Sequence, residues 1–238
     1  MSAPPALVIA GPGTNRDRDL ATALRLAGAD PTMALATELA ADPKPLAEAR
    51  LVGIAGGFSY GDALGAGRML ALDLMVGLGE ALREYVASGR PLIGICNGFQ
   101  VLTRAGLLPG APGHNAHGRF EPPWVAIQPD RASTCLWTRG IDDPIHCPIA
   151  HGEGRYVHPD PAGLAAAGQV ALRYSSPNPN GSVDAIAGVC NPDGNVLGLM
   201  PHPENHVTAR QHPHPASSGP HHLGLRLFRN GVAAATEM

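Results

Sequence analysis

The chain has 238 residues, 44% apolar but only 4% aromatic, and its 17 basic and 20 acidic side chains leave a formal charge of −3. Without a clustered basic excess it lacks the electrostatic footprint of a general nucleic-acid or anionic-membrane binder, and no run approaches the ~18 apolar residues of a membrane span. With 30 glycines and 24 prolines, tight turns and a core of small aliphatic side chains are expected.

The chain runs almost at once into an apolar stretch, Ala6–Ala10, closed by Gly11-Pro12-Gly13, which reads as a buried strand. No basic n-region precedes it, so no secretory signal is expected. Asp17 to Ala27 places Leu20, Leu24 and Ala27 on one helical face, with Gly28 as the stop. Leu51–Ala55 is a second strand, breaking at Gly56-Gly57. Ala66 to Ser88 reads as a long helix ended by Gly89. Leu92–Ile95 is another buried strand, and Gly98–Ala105 a helix stopped by Gly106. Strands alternating with helices predict a mostly parallel central sheet flanked by helices on both faces.

After Pro109 the texture changes and clear helices disappear. Trp124–Gln128, Ala171–Tyr174, Asp184–Cys190 and Val196–Met200 read as strands, the last two joined by Asn191-Pro192-Asp193-Gly194 as a hairpin turn. Gln211–His222 is polar and Pro-rich, and is expected to be a mobile surface loop whose histidines are solvated. Leu223–Ala235 is the closing helix. With no repeat and no boundary signal, residues 1–238 are expected to form one α/β domain with a β-rich second half.

Four cysteines (96, 135, 147 and 190) occur without CxxC spacing, which argues against a structural zinc site and a disulfide scaffold. A cytoplasmic location is the default. Cys96 is framed differently from the others. Gly94-Ile95-Cys96-Asn97-Gly98 follows a strand and opens a helix, the arrangement of a nucleophile on a sharp strand-to-helix turn. Small residues two positions either side relieve crowding there, and the helix start favours a thiolate. The bland alternative is a buried structural cysteine whose glycines serve only the turn.

A cysteine nucleophile wants an imidazole held by a third group. Pro201-His202-Pro203-Glu204 offers one: the prolines push the segment toward extended dihedrals, where His202 and Glu204 would project to the same side. The alternative is an exposed His and Glu in a turn. For the oxyanion of acyl transfer, the backbone N–H of Asn97 is one candidate donor, and Gly57 and Phe58 at the end of the neighbouring strand can supply another. Read by themselves, Gly56-Gly57 fit a plain strand-ending turn better. His151, in the Gly-flanked turn Ala150–Gly154, is a candidate pocket residue.

These motifs, in this order, resemble the class I glutamine amidotransferases. The nearest branch is the glutaminase subunits of phosphoribosylformylglycinamidine synthases. The likeness is carried by PGTNRDRD (12–19), GGFSYGD (56–62), GICNGFQVLTRAGLLPG (94–110), AHGEGRY (150–156), NPNGSVDAIAGVCNPDGNVLGLMPHPE (178–204) and GLRLF (224–228). It implies a flavodoxin-like α/β fold and a triad of Cys96, His202 and Glu204. It further implies that Gln100 positions substrate and that His151, Gly152 and Glu153 shape a glutamine pocket. The implied reaction releases ammonia from L-glutamine through a thioester. The implied partners are a large synthetase subunit and a small bridging subunit. ATP and Mg are expected on the synthetase and no cofactor or metal on this chain, which has no phosphate-binding P-loop. The chain departs from the branch at Gly65, at Pro122-Pro123, at Asn205 and in the 211–222 stretch.

Three other readings fit parts of the pattern. One is a free-standing or differently partnered glutaminase. The second is a cysteine-elbow hydrolase of related fold, which does not need the late His-x-Glu pair and is disfavoured by Pro201–Glu204. The third is a catalytically silent regulatory subunit.

Overall fold

In the computed structural model, which describes residues 2–215 and 219–238, the opening apolar run becomes β1 (Pro5–Ala10), flanked by parallel β2 (Asp30–Leu35) and β3 (Leu51–Ile54). β3 pairs with β4 (Leu92–Ile95), and β4 with β11 (Val196–Leu199), again in parallel. The order 2-1-3-4 followed by a fifth parallel strand is that of flavodoxin-like doubly wound sheets. Beyond β11 the sheet turns antiparallel through β10 (Ile186–Cys190), β9 (Val170–Tyr174), β6 (Trp124–Pro129) and β7 (Ile145–Pro148). Short β5 (Ala111–Gly113) and β8 (Arg155–Val157) form a separate pair. A mostly parallel first half and a β-rich second half are both as expected.

Two glycines show how helices reach both faces. A side chain at Gly53 would meet Leu20 of α1 (Asp17–Ala27) at 2.8 Å, and one at Gly94 would meet Leu102 of α5 (Asn97–Arg104) at 2.5 Å. Gly94 pairs with Ile54, the neighbour of Gly53, so successive residues along β3 put the two helices on opposite faces. The remaining helices are α2 (Ala36–Ala41), α3 (Lys44–Glu48), α4 (Arg68–Ala87), α6 (Pro161–Ala166) and α7 (Leu225–Thr236). α7 packs on α1, and α4 packs on α2, α3 and α5.

Several boundaries move for identifiable reasons. The long helix begins at Arg68, not Ala66, because Gly67 is left-handed (φ 73°). β10 begins at Ile186, not Asp184, because Asp184 and Ala185 both have positive φ. β2, α2, α3, β7 and α6 carry too little apolar periodicity to be foreseen. β2 is an edge strand that tolerates Pro31, and α6 is a two-turn helix capped by Asp160 Oδ1 on the Gly163 N–H (2.9 Å).

The 211–222 stretch is also corrected. Its residues 216–218 lie outside the described residues, but the flanks fold into short 3₁₀ turns, Ala209–Gln211 and Pro220–His222. His214 and His221 are exposed as expected, whereas His212 and His222 are half-buried. The His222 ring stacks on His146 (centroids 4.3 Å apart, planes at 3°), and His212 and His206 lie edge-on to Trp124 at 4.6 and 5.1 Å. Rings packed against the half-buried Trp124 indole bury area that solvation would forfeit. Burial, helped by the neighbouring imidazoles, lowers the pKa of His146 and His206.

Candidate active site

Three strand ends converge on Cys96. Its residue caps α5 with φ 50° and ψ −104°, a sparsely populated conformation held by the strand before it and the helix after it. The flanking glycines are obligatory on packing grounds. A Cβ at Gly98 would sit 2.1 Å from the Ile54 carbonyl, and one at Gly94 2.7 Å from the Gly98 carbonyl. The Cys96 N–H donates to Leu199 O at 2.8 Å, which ties the elbow to the end of β11. Its thiol lies 3.8 Å from Ala150 O.

β11 leads directly into His202. The His202 N–H donates to Pro148 O (2.9 Å), and Nδ1–H donates to Glu204 Oε1 at 2.7 Å, both side chains being 2% exposed or less. The route differs from the extended segment expected: Pro203–Asn205 is a single 3₁₀ turn. Pro203 favours helical as well as extended ψ, and a tight turn brings residues two apart together. A side chain at Gly56 would stand 3.1 Å from His202 Cε1 and 3.4 Å from Cys96 Cβ, so imidazole and thiol meet over that glycine. Burial alone would lower the His202 pKa, but the Glu204 carboxylate and the Cys96 sulfur raise it to about 10. The site therefore favours an imidazolium beside the sulfur, oriented by a carboxylate.

Beside the thiol is a narrow pocket lined by Gly57, Phe58, Cys96, Gln100, His151 and Glu153 among others. A larger open groove near Asp130 and Asp142 is lined by neither cysteine nor histidine and lies on the antiparallel half of the sheet. Gly57 is left-handed (φ 95°), and a Cβ there would strike Asn15 Oδ1 at 2.0 Å. Among the described residues, the N–H groups of Phe58 and Asn97 donate to no other group.

The pocket residues come together, with roles the sequence did not indicate. Gln100 is engaged by the protein: Oε1 accepts from Asn97 Nδ2 (3.0 Å) and Nε2 donates to Glu153 O (2.6 Å), so it braces the 150–154 turn. His151 is 3% exposed, and its Nδ1 lies 3.2 Å from Asn115 Oδ1. That oxygen also accepts from the Gly154 N–H, while Asn115 Nδ2 donates to two carbonyls. Asn115 is thereby fixed as an acceptor toward His151, which must carry its proton on Nδ1. Burial first, then the His202 charge, lower the His151 pKa to about 4. Asn115, Ser59 and Asp62 also belong to the site; Ser59 and Asp62 lie inside the GGFSYGD motif, whereas nothing in the sequence around Asn115 marks it.

The departures are accommodated locally. At Gly65 the guanidinium groups of Arg104 and Arg68 lie 3.6 and 3.9 Å from where a Cβ would be. Asn205 donates to Asp19 Oδ2 (2.8 Å), and the Pro123 carbonyl accepts from Ile149 (2.9 Å).

Doubly wound sheet, cysteine elbow and imidazole–carboxylate pair together mark the class I glutamine amidotransferase type of α/β fold. Residues 3–233 match the CobB/CobQ-like glutamine amidotransferase domain, and the chain belongs to that family. It is 42% identical to the phosphoribosylformylglycinamidine synthase subunit PurQ of Treponema denticola, over 96% of this chain and 98% of that one. It is 38% identical to the PurQ subunit of Dehalococcoides mccartyi over the full length of both. Among solved structures, PurLQS from Thermotoga maritima superimposes with a TM-score of 0.81 at 35% identity, covering 97% of this chain and 98% of that chain. No helix among the described residues is long and apolar enough to cross a membrane.

Proposed function

We propose that this chain is the glutaminase subunit of a phosphoribosylformylglycinamidine synthase. It works in purine biosynthesis with a large synthetase subunit and a small bridging subunit. Full-length likeness to PurQ subunits and to a PurLQS assembly supports this reading. The single observation behind the chemistry is the convergence of Cys96 and His202 over Gly56.

The Cys96 sulfur attacks the side-chain amide carbon of L-glutamine, and negative charge moves to the carbonyl oxygen. The N–H groups of Asn97 and of the Gly57-Phe58 turn receive that oxyanion. His202 gives its proton to the leaving nitrogen, and ammonia departs as the thioester forms. Water then attacks the thioester, giving its proton to His202, and glutamate leaves. Glu204 keeps the imidazole in the productive tautomer. Gln100, His151, Gly152 and Glu153 shape the pocket around the rest of the substrate.

The ammonia is consumed on the synthetase, where ATP and Mg act, to convert formylglycinamide ribonucleotide to its amidine. This chain needs no cofactor for its own half-reaction. A cytoplasmic location fits a step that draws on soluble nucleotide and amino-acid pools.

The test is ammonia release from glutamine by the chain assembled with its two partner subunits. Cys96→Ser should abolish it, and omitting the synthetase should lower it. Unchanged release by Cys96→Ser would remove the triad assignment. A rate indifferent to any synthetase would favour a free-standing glutaminase.

A further inference from the structure

The Asn97 amide is 2% exposed, and the protein uses its whole hydrogen-bonding capacity. Its Oδ1 accepts from both the N–H (3.2 Å) and the hydroxyl of Ser59, while Nδ2 donates to Asp62 Oδ1 (2.9 Å) and to Gln100 Oε1 (3.0 Å). Ser59 and Asp62 belong to the segment that follows Gly57. There Phe58, Tyr60, Asp62 and Leu64 all have φ between 52° and 63°. Side chains disfavour that left-handed region, so four such residues within seven positions do not hold their shape by local preference. External ties hold it instead. The Tyr60 N–H donates to Pro12 O (2.6 Å), the Tyr60 hydroxyl donates to Asp73, and Gly57 O accepts from the Asn15 N–H (3.2 Å). Asn97 is the tie that comes from the elbow itself, and it grips the segment on both sides of Tyr60.

We infer that the Asn97 side chain is a positioning residue for the oxyanion pocket: it locks the left-handed 57–62 segment in register with Cys96, so that the Phe58 and Asn97 N–H groups address one oxygen. The inference rests on the glutaminase reading above. It assigns separate jobs to the two ends of one residue, the backbone N–H meeting the substrate and the amide holding the opposite wall. An amide is required because two donors and two acceptors converge on it. A carboxylate of the same size would still accept from Ser59, but would turn an acceptor toward Asp62 Oδ1 and Gln100 Oε1.

Asn97→Asp is therefore the discriminating variant, measured in the chain assembled with its synthetase and bridging subunits. The kcat for glutamine hydrolysis should fall roughly 100-fold, the scale of one lost oxyanion donor. KM should change by less than about threefold, because the ground state gains little from that donor. Alkylation of Cys96 by iodoacetamide should stay within about threefold of wild type, since that reaction builds no oxyanion. Adding Asp62→Asn restores a donor–acceptor pair across the same contact and should recover at least about tenfold in kcat. An unchanged kcat, kcat and alkylation falling together, or no recovery from Asp62→Asn would each overturn the assignment. A wild-type complex that releases no ammonia would overturn the glutaminase reading, and this assignment with it.

Discussion

The N–H of Cys96 donates to the carbonyl of Leu199 at 2.8 Å, so the nucleophile's bend and the strand that delivers His202 form one hydrogen-bonded unit. Any change that shears β4 against β11 therefore moves the thiol relative to the imidazole.

Native alkylation should single out Cys96. Its thiol borders the cavity, whereas Cys135, Cys147 and Cys190 are 1% exposed or less. Cys190 is the informative control. Its pKa is lowered to about 7, chiefly by a hydrogen bond from Cys135, yet it is sealed from solvent. Peptide mapping after brief iodoacetamide treatment should show Cys96 labelled at least roughly tenfold faster, access outweighing acidity. Equal labelling of all four would contradict the site.

His202→Ala should cost more turnover than Glu204→Gln. The first removes the proton carrier, a loss on the order of 10⁴-fold. The second leaves the imidazole in place and weakens its orientation, so the loss should be about tenfold smaller. Steady-state ammonia release ranks the two, and the reverse order would reassign the base.

Gly56→Ala should uncouple activity from folding. The added methyl would lie 2.9 Å from the Ile95 carbonyl and 3.1 Å from the His202 ring, so the ring must move. Overpacking of this kind costs roughly 1–3 kcal/mol. The variant should melt a few degrees lower yet lose most of its turnover. Wild-type turnover would show that thiol and imidazole do not need that approach.

Acid should destabilise the fold through His151. Burial, then the His202 charge, hold its pKa at about 4 against 6.5 unperturbed. The unfolded chain thus binds the extra proton first, and stability is lost as pH falls from about 6.5 toward 4, by roughly 3 kcal/mol at most. His146 and His206, also lowered, act in the same direction. His202, raised to about 10, acts oppositely: its contribution is present below 6.5 and is lost as pH rises through 10. Denaturant melts at pH 7.5 and 5.0 should show the loss, and His151→Phe should flatten it.

The legible parts of the molecule were those where local pattern and tertiary role coincide. The GxCxG pentapeptide is readable because its glycines answer to contacts of 2.1 and 2.7 Å that any other residue would violate. The His202–Glu204 pair was found from spacing, although a 3₁₀ turn rather than an extended segment joins them. Edge strand β2 and the helices after it were invisible, since half-exposed residues carry no periodicity. The Asn97 network could not be foreseen either. It depends on Ser59 and Asp62, 38 and 35 positions away, in a segment whose left-handed turns leave only a scatter of glycines in the sequence. The packing of His212 and His222 is not legible in the sequence, because composition says nothing of which rings stack.

That ring cluster gives the protein a built-in optical probe. Of its two tryptophans, Trp137 is sealed in the core with its indole N–H on Asn195 O at 3.0 Å. Trp124 lies edge-on to the imidazoles of His206 and His212, and burial lowers the His206 pKa, so that ring takes up a proton only on acidification below the ordinary imidazole range. Its emission should dim on acidification while that of Trp137 stays steady, reporting protonation just past the triad without any added label.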